Sequence, residues 1–351
     1  MLGNGILHLV LLVGVGIFLF PFAYMVCTSL KTDDELTETA WLPAVPQFVA
    51  ESPHVRDDKV VRPQELSVAQ WKALLPQLRS MTRSAVDAAP LPPGAHAVDL
   101  DHYRSAVTDY IIGRVSSRLN IDLWSEPAAK ITAAFKAALL PETIAAALDN
   151  RLSRLELRGL QAMSVDGHTY GLTPGQKVAT NWTIESGDAK FIPSDDCAIL
   201  KYRFPTSSAT PIVIRCDFDY PADPANLHKL ILSLRPDDSW HQVDATLDLG
   251  GVHWVSQKTK YLGTNRNQSI LFQPPSFDDT TDRKRIWVPL KEVQRTEDLG
   301  PSAKSQALSP ALSPHSSVPG PVISHHGVLR VTISPSSTAW AIFGKVERNY
   351  Q

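Results

Sequence analysis

No charged side chain occurs in the first thirty residues of this chain; Lys31 is the first. Cysteine is scarce. Only Cys27, Cys197 and Cys216 occur, with no C-x-x-C pair, which excludes a zinc ribbon or a thioredoxin-type site. The net charge of −2, with no basic stripe, excludes a general field for nucleic acid. There is no G-x-S-x-G, H-E-x-x-H or phosphate-binding loop, so the commonest hydrolase, metalloprotease and nucleotide signatures are missing. Glycine is less common than proline, and the prolines cluster in loops.

The uncharged start is a run of apolar residues, Ile6–Cys27, ILHLVLLVGVGIFLFPFAYMVC. About 20 such residues are what a helix needs to cross a hydrocarbon core. The segment lacks the basic start and the small-x-small site of a cleaved signal, and Ala-Tyr-Met-Val before Cys27 is no lipoprotein box. Residues 1–30 are therefore expected to form an uncleaved transmembrane helix. Its far flank sets Lys31 against Asp33, Asp34, Glu35 and Glu38, which suits the outside.

The stretch FLFPFAYMVCTSLKTDDEL is followed by Trp41-Leu42-Pro43 and Pro46. Through Phe20, Pro21, Phe22, Met25, Thr28, Ser29, Leu30 and Lys31 it resembles the first transmembrane helix of maltose-type carbohydrate ABC transporter permeases. At the other end, GKVERNYQ, with Asn349 and Tyr350, is similar to that family's approach to its second helix. The resemblance implies a bacterial inner membrane protein, single pass within this chain, with its bulk extracytoplasmic. It implies a partner permease subunit, ATP-hydrolysing subunits and a solute-binding protein, with residues from about 49 to 340 as an insertion in the first external loop. The chain would then be the N-terminal part of a longer permease. A single-pass membrane-anchored module that binds carbohydrate or protein, without transport, is the alternative.

The fold class expected is α+β: the N-terminal transmembrane helix, an extracytoplasmic linker (31–62), a small helical subdomain (63–163) and an antiparallel, jelly-roll-like β-sandwich (164–346). Residues 347–351 approach a second membrane helix. Ser67 and Gln70 form a capping-box pattern, and Val68, Trp71, Leu75 and Leu78 then recur on one face. Pro76 is expected to kink or divide that helix. A second helix runs from Leu100 to Leu119 behind Asp99 as N-cap. A third carries Ile131, Ala134, Phe135, Ala138 and Leu139. Pro141 starts a fourth, with Ile144, Leu148, Leu152 and Leu155.

From His168 the period changes to two. VATNWTI, CAILKYRF, PIVIRCDF, KLILSL, VDATLDL, VHWVS, SILFQ and IWVPL are short runs separated by Pro, Asp, Asn and Gly, the pattern of a sandwich. LRVTIS (329–334) and AWAIFGKV (339–346) supply late strands. The Ser/Pro-rich residues 300–327 read as a mobile loop. Cys197 and Cys216 flank an expected hairpin, leaving open a disulfide or two buried thiols.

The sandwich holds Trp182, Trp240, Trp254, Trp287 and Trp340. Rings of this kind either pack between sheets or stack on sugar faces. Trp240-His241, His253-Trp254 and Asn265-Arg266 are the candidate sugar contacts. Asp217 with Asp219, and Asp278 with Asp279, are adjacent carboxylates without the opposed geometry that glycoside hydrolysis needs. His325-His326 lacks a third metal ligand at convincing spacing. No enzyme activity, cofactor or metal is expected.

Overall fold

The computed structural model describes residues 11, 14–15, 18–25, 49–58, 60–173, 181–205, 210–263, 265–274, 287–293 and 324–335. Residues 18–25 are helical and exposed, with the Phe18 and Phe22 rings 6.0 Å apart. Among the described residues, no single helix is long and apolar enough to cross a membrane. Thr28, Ser29, Leu30, Lys31, Trp340, Asn349 and Tyr350 lie outside the described residues, as do Ala339–Val346 and residues 300–323.

The helical unit begins with α1, Val68–Ala88. Ser67 Oγ accepts from the Gln70 amide at 3.2 Å while Gln70 Oε1 accepts from the Ser67 amide at 3.0 Å, which satisfies two of the helix's open donors. Its buried face is Trp71, Leu74, Leu78, Thr82 and Val86. Leu74 thus takes the place expected of Leu75, and Val68 is exposed. Pro76 does not divide the helix. It sits on the exposed side, where water satisfies the carbonyl it leaves free. Asp99 caps α2, Leu100–Ser116, accepting from the amides of Asp101 and His102. Pro127 precedes α3, Ala128–Ala138, and Pro141 opens α4, Pro141–Arg151. One apolar cluster joins all four through Leu78, Tyr103, Ile111, Phe135 and Leu148.

Leu152 and Leu155 continue the helical spacing in sequence, but the helix stops at Arg151. Leu152–Ser153 is β3 and Leu155–Ser164 is β4, a ten-residue strand inside the sheet. The sandwich therefore starts about ten residues before the expected boundary at 164. Leu155, Leu157, Leu160 and Ala162 are its buried apolar positions, and its pairing with β10 shifts register twice, between Leu227 and Lys229 and between Ser233 and Leu234.

The first sheet holds β4, β5 (Thr169–Gly171), β7 (Asp188–Pro193), β8 (Ala198–Arg203), β10 (Leu227–Arg235) and β14 (Gln268–Gln273), with β8, β4, β10 and β14 adjacent in that order. The second runs β12 (Val252–Ser256), β11 (Gln242–Leu249), β16 (His325–Ser334), β9 (Ile212–Tyr220), β6 (Trp182–Ser186), with β13 (Lys260–Tyr261) on β11. Strand β15, Trp287–Glu292, joins them, parallel to β14 and antiparallel to β12. That parallel contact departs from the otherwise antiparallel pairing. At the opposite side, Gly187 turns the chain from β6 to β7. Its φ is +93° and an added Cβ would lie 2.9 Å from Ile212 Cα, so no side chain fits there.

One core lies between the sheets. Ile212, Ile214, Cys216 and Phe218 of β9 and Val243, Ala245 and Leu247 of β11 meet Leu200, Leu230, Leu232 and Phe272. Strands β8 and β9 do not pair with each other, β8 lying beside β4 and β9 beside β16, so the hairpin expected between Cys197 and Cys216 does not form; both are buried free thiols. His325 and His326, expected in the loop, begin β16.

Residues 49–58, expected as linker, are part of the body. They include β1, Glu51–Ser52, paired to β8, and β2, His54–Val55, paired to β3. The Arg56 amide donates to the Arg151 carbonyl at 3.0 Å. The first and last described segments of the body meet at one rim. The Val49 carbonyl accepts from His241 Nε2 at 2.7 Å, and the next residue, Gln242, pairs with Ser334. By standard backbone spacings, residues 49 and 334 lie on the order of 10–15 Å apart.

Candidate functional site

The connection from β10 to β11, residues 236–241, holds the buried polar residues Asp237, Ser239 and His241. Asp238 and Trp240 both have positive φ, 59° and 60°, a conformation that costs a non-glycine residue energy and persists only when its surroundings hold it. Here the Trp240 amide donates to the Leu262 carbonyl and the Leu262 amide to the His241 carbonyl, each at 2.9 Å.

On one side of this connection lies a sealed polar cluster. Asp237 is 0 % exposed and His241 1 %. Asp237 Oδ2 is 2.6 Å from the Tyr202 hydroxyl, and that hydroxyl is 2.8 Å from His241 Nδ1. Ser239 donates to Asp237 Oδ1 through its hydroxyl at 2.6 Å and its amide at 3.2 Å. Burial would raise the Asp237 carboxyl, but the imidazoles of His241 and His54, with the Ser239 and Tyr202 hydrogen bonds, hold it below its ordinary value. Burial, with Asp237 beside it, pushes the Tyr202 phenol well up. Burial pushes both His241 and His54 down, against the pull of Asp237.

On the other side is an ion network at the seam between helices and sandwich. Arg235 forks onto Asp149 at 2.8 and 3.0 Å and donates to Asn265 Oδ1 at 2.7 Å. Arg154 donates to Asp149 at 2.7 Å and to Glu156 at 2.6 Å, and Arg158 reaches the other Glu156 oxygen at 2.6 Å. Arg154 and Glu156 are almost fully buried. Burial would raise Asp149, but the hydrogen bonds from Arg235 and Arg154 outweigh it and hold the carboxyl low.

The structure separates the expected sugar contacts. Trp240, His241 and Asn265 lie at this end of the sandwich, whereas His253 and Trp254 sit opposite Asp248 and Leu247 on β11. That is about 20 Å along the strand from Gln242. The Trp240 and Trp254 rings are buried, at 7 % and 6 % exposure, and present no open face. His253 Nδ1 is 2.5 Å from Asp248, which Arg330 also holds. Arg266 is exposed.

Asp237, Ser239 and His241 are the residue types of a hydrolase trio, but Ser239 donates to the carboxylate rather than to the imidazole, and all three are sealed from substrate. Asp217 is held low by its hydrogen bonds with Arg215. Asp278 and Asp279 lie outside the described residues. Among the described residues, no group of three or more His, Cys, Asp or Glu could hold a metal ion. Sequence reasoning missed Tyr202, Asp237, Asp149, Arg154, Glu156 and Arg235. For Glu156, Arg235 and Asp237 the signal was present as charges beside apolar residues, in L-E-L-R and L-R-P-D-D-S-W-H, whereas Tyr202, Asp149 and Arg154 lie outside those runs. Comparison with protein-family models, curated proteins and solved structures finds no match for this chain.

Proposed function

We propose that this chain is the N-terminal part of a membrane permease of a binding-protein-dependent sugar importer, with the α+β body inserted in its first external loop. One structural observation supports this reading: the first and last described segments of the body, at Val49 and Ser334, lie side by side at one rim. An insertion between two packed transmembrane helices, whose axes lie about 8–10 Å apart, needs such ends. The exposed apolar helix at 18–25 and the T-S-L-K segment supply the membrane side. The body's role is contact with the solute-binding protein or the partner permease. The buried indoles at Trp240 and Trp254 favour protein contact over ring stacking on glycan.

Antibody capture of the native protein from solubilised source membranes tests the reading. The expected result is co-purification of an ATP-hydrolysing subunit and a second permease. A membrane-bound protein recovered without either, and without sugar-uptake loss on gene deletion, would instead mark a single-pass binding module.

A further inference from the structure

We propose that residues 49–56 are an acid-released strap that carries the half-buried His54 and closes over the buried pair His241 and Asp237. The strap covers this cluster with its own His54 and with the Val49 carbonyl, which takes the Nε2 proton of His241.

The protons can be counted. A carbonyl only accepts, so His241 Nε2 carries a proton. The contacts from Nδ1 to the Tyr202 oxygen, 2.8 Å, and from that oxygen to Asp237 Oδ2, 2.6 Å, each need one proton between them. The phenol has one. A single added proton on the imidazole therefore completes the His241–Tyr202–Asp237 chain and leaves it neutral overall. A second proton, on His54, has no such place. His54 Nδ1 is buried with no hydrogen-bond partner, and Asp237 is already matched. Arg56 adds positive charge nearby, although it also pairs with Asp238 at 3.6 Å. Glu51 faces His54 from an exposed position. From β3, the residue opposite His54 is Ser153, which carries no charge.

A buried charge without a partner is expelled or opens its surroundings. The weakest cover is the strap, whose β1 and β2 are two residues each. The closed strap binds the second proton less readily than the open one. It is fully favoured above the open-state histidine value near 6.5 and loses ground as pH falls toward the depressed closed-state value. Transmission of this opening to the membrane segment rests on the permease reading; the strap does not.

Hydrogen exchange on the full chain in detergent, at about pH 7.5 and about pH 5.5 with intrinsic rates corrected, reads it directly. Protection across 49–56 should fall severalfold, up to about tenfold, in acid, with α2 unchanged, and His54→Leu should abolish that fall. Equal wild-type protection at both pH values would overturn the proposal, as would a His54→Leu protein that still opens in acid. If that variant loses α2 protection, ring NMR of wild-type His54 decides: titration below the ordinary value supports the strap, and titration at or above it ends the proposal. Absence of transporter partners with the acid opening intact would remove the permease reading alone.

Discussion

The helical unit and the sandwich each close around one apolar cluster, yet they place their charges differently. In the helices, apart from the buried Arg151 with Asp58, charged pairs are largely exposed and short-range or between neighbours: Lys130 with Glu126 and Arg83 with Asp87 at i,i+4, and Arg79 with Asp109 between α1 and α2. Such pairs contribute little. In the sandwich, charges run across strands. His253, Asp248, Arg330, Glu185, Arg215 and Asp217 form an alternating ladder over the outer face of the second sheet. Others, at Glu156 and Arg154, are buried. A helix satisfies its own backbone and can leave charges to solvent, whereas Arg154 and Arg235 at the sandwich meet α4 through the carboxylate of Asp149. The two regions should therefore respond differently to single changes.

The largest expected effect is at the seam. Glu156→Ala leaves Asp149 as the one carboxylate shared by Arg154 and Arg235 and removes the carboxylate that Arg158 reaches, and should destabilise the body by about 3–5 kcal/mol. Urea unfolding followed by hydrogen exchange should then show the helices and sandwich separating into two transitions; a single unchanged transition would mean that the seam does not unite them. Gly187→Ala strikes only the sandwich. The positive φ and the close Ile212 backbone predict a loss of about 1–3 kcal/mol, read as lost protection in β6 and β7 with α1 intact. Ser67→Ala is its counterpart in the helices, expected to cost about 1 kcal/mol and to appear only in α1.

Acid acts on the seam more gently. Asp149 is held low in the folded state, so its contribution is fully present above the unfolded carboxylate value near 4 and lost as pH falls through the folded one. Seam protection that rose on acidification below that value would reverse the assignment. The smallest effect involves no change in stability. Burial pushes the Cys216 thiol up to about 12 and raises Cys197, so a thiol reagent should modify neither until the sandwich unfolds.

The sequence made the helical unit legible because its signals are local. The Ser67 box, the Asp99 cap and Pro141 each act within one turn. The alternation in β9, β11 and β16 was equally plain. Failures came where partners are distant. Leu152 and Leu155 fit a helical stripe until β2, β8 and β10 claim them and their strands. Cys197 and Cys216 look like a hairpin only if β8 and β9 pair. The tryptophan at 240 suits a surface or a core by type, and only the fold turns it inward. Arg235 and Asp149 stand 86 residues apart, a separation at which no local pattern announces a pair. The candidate site was thus half legible: His241 and Asn265 were named, but the acids and arginines that hold them were not.

The shared rim of the first and last described segments of the body carries a mechanical meaning. A force that draws Val49 and Ser334 apart loads the Val49–His241 contact and the Gln242–Ser334 pairing at their ends, so the bonds break one after another, as a zip opens. Had the ends left from opposite poles, the same bonds would have shared the load in parallel. The body is therefore softest along the direction that draws Val49 and Ser334 apart.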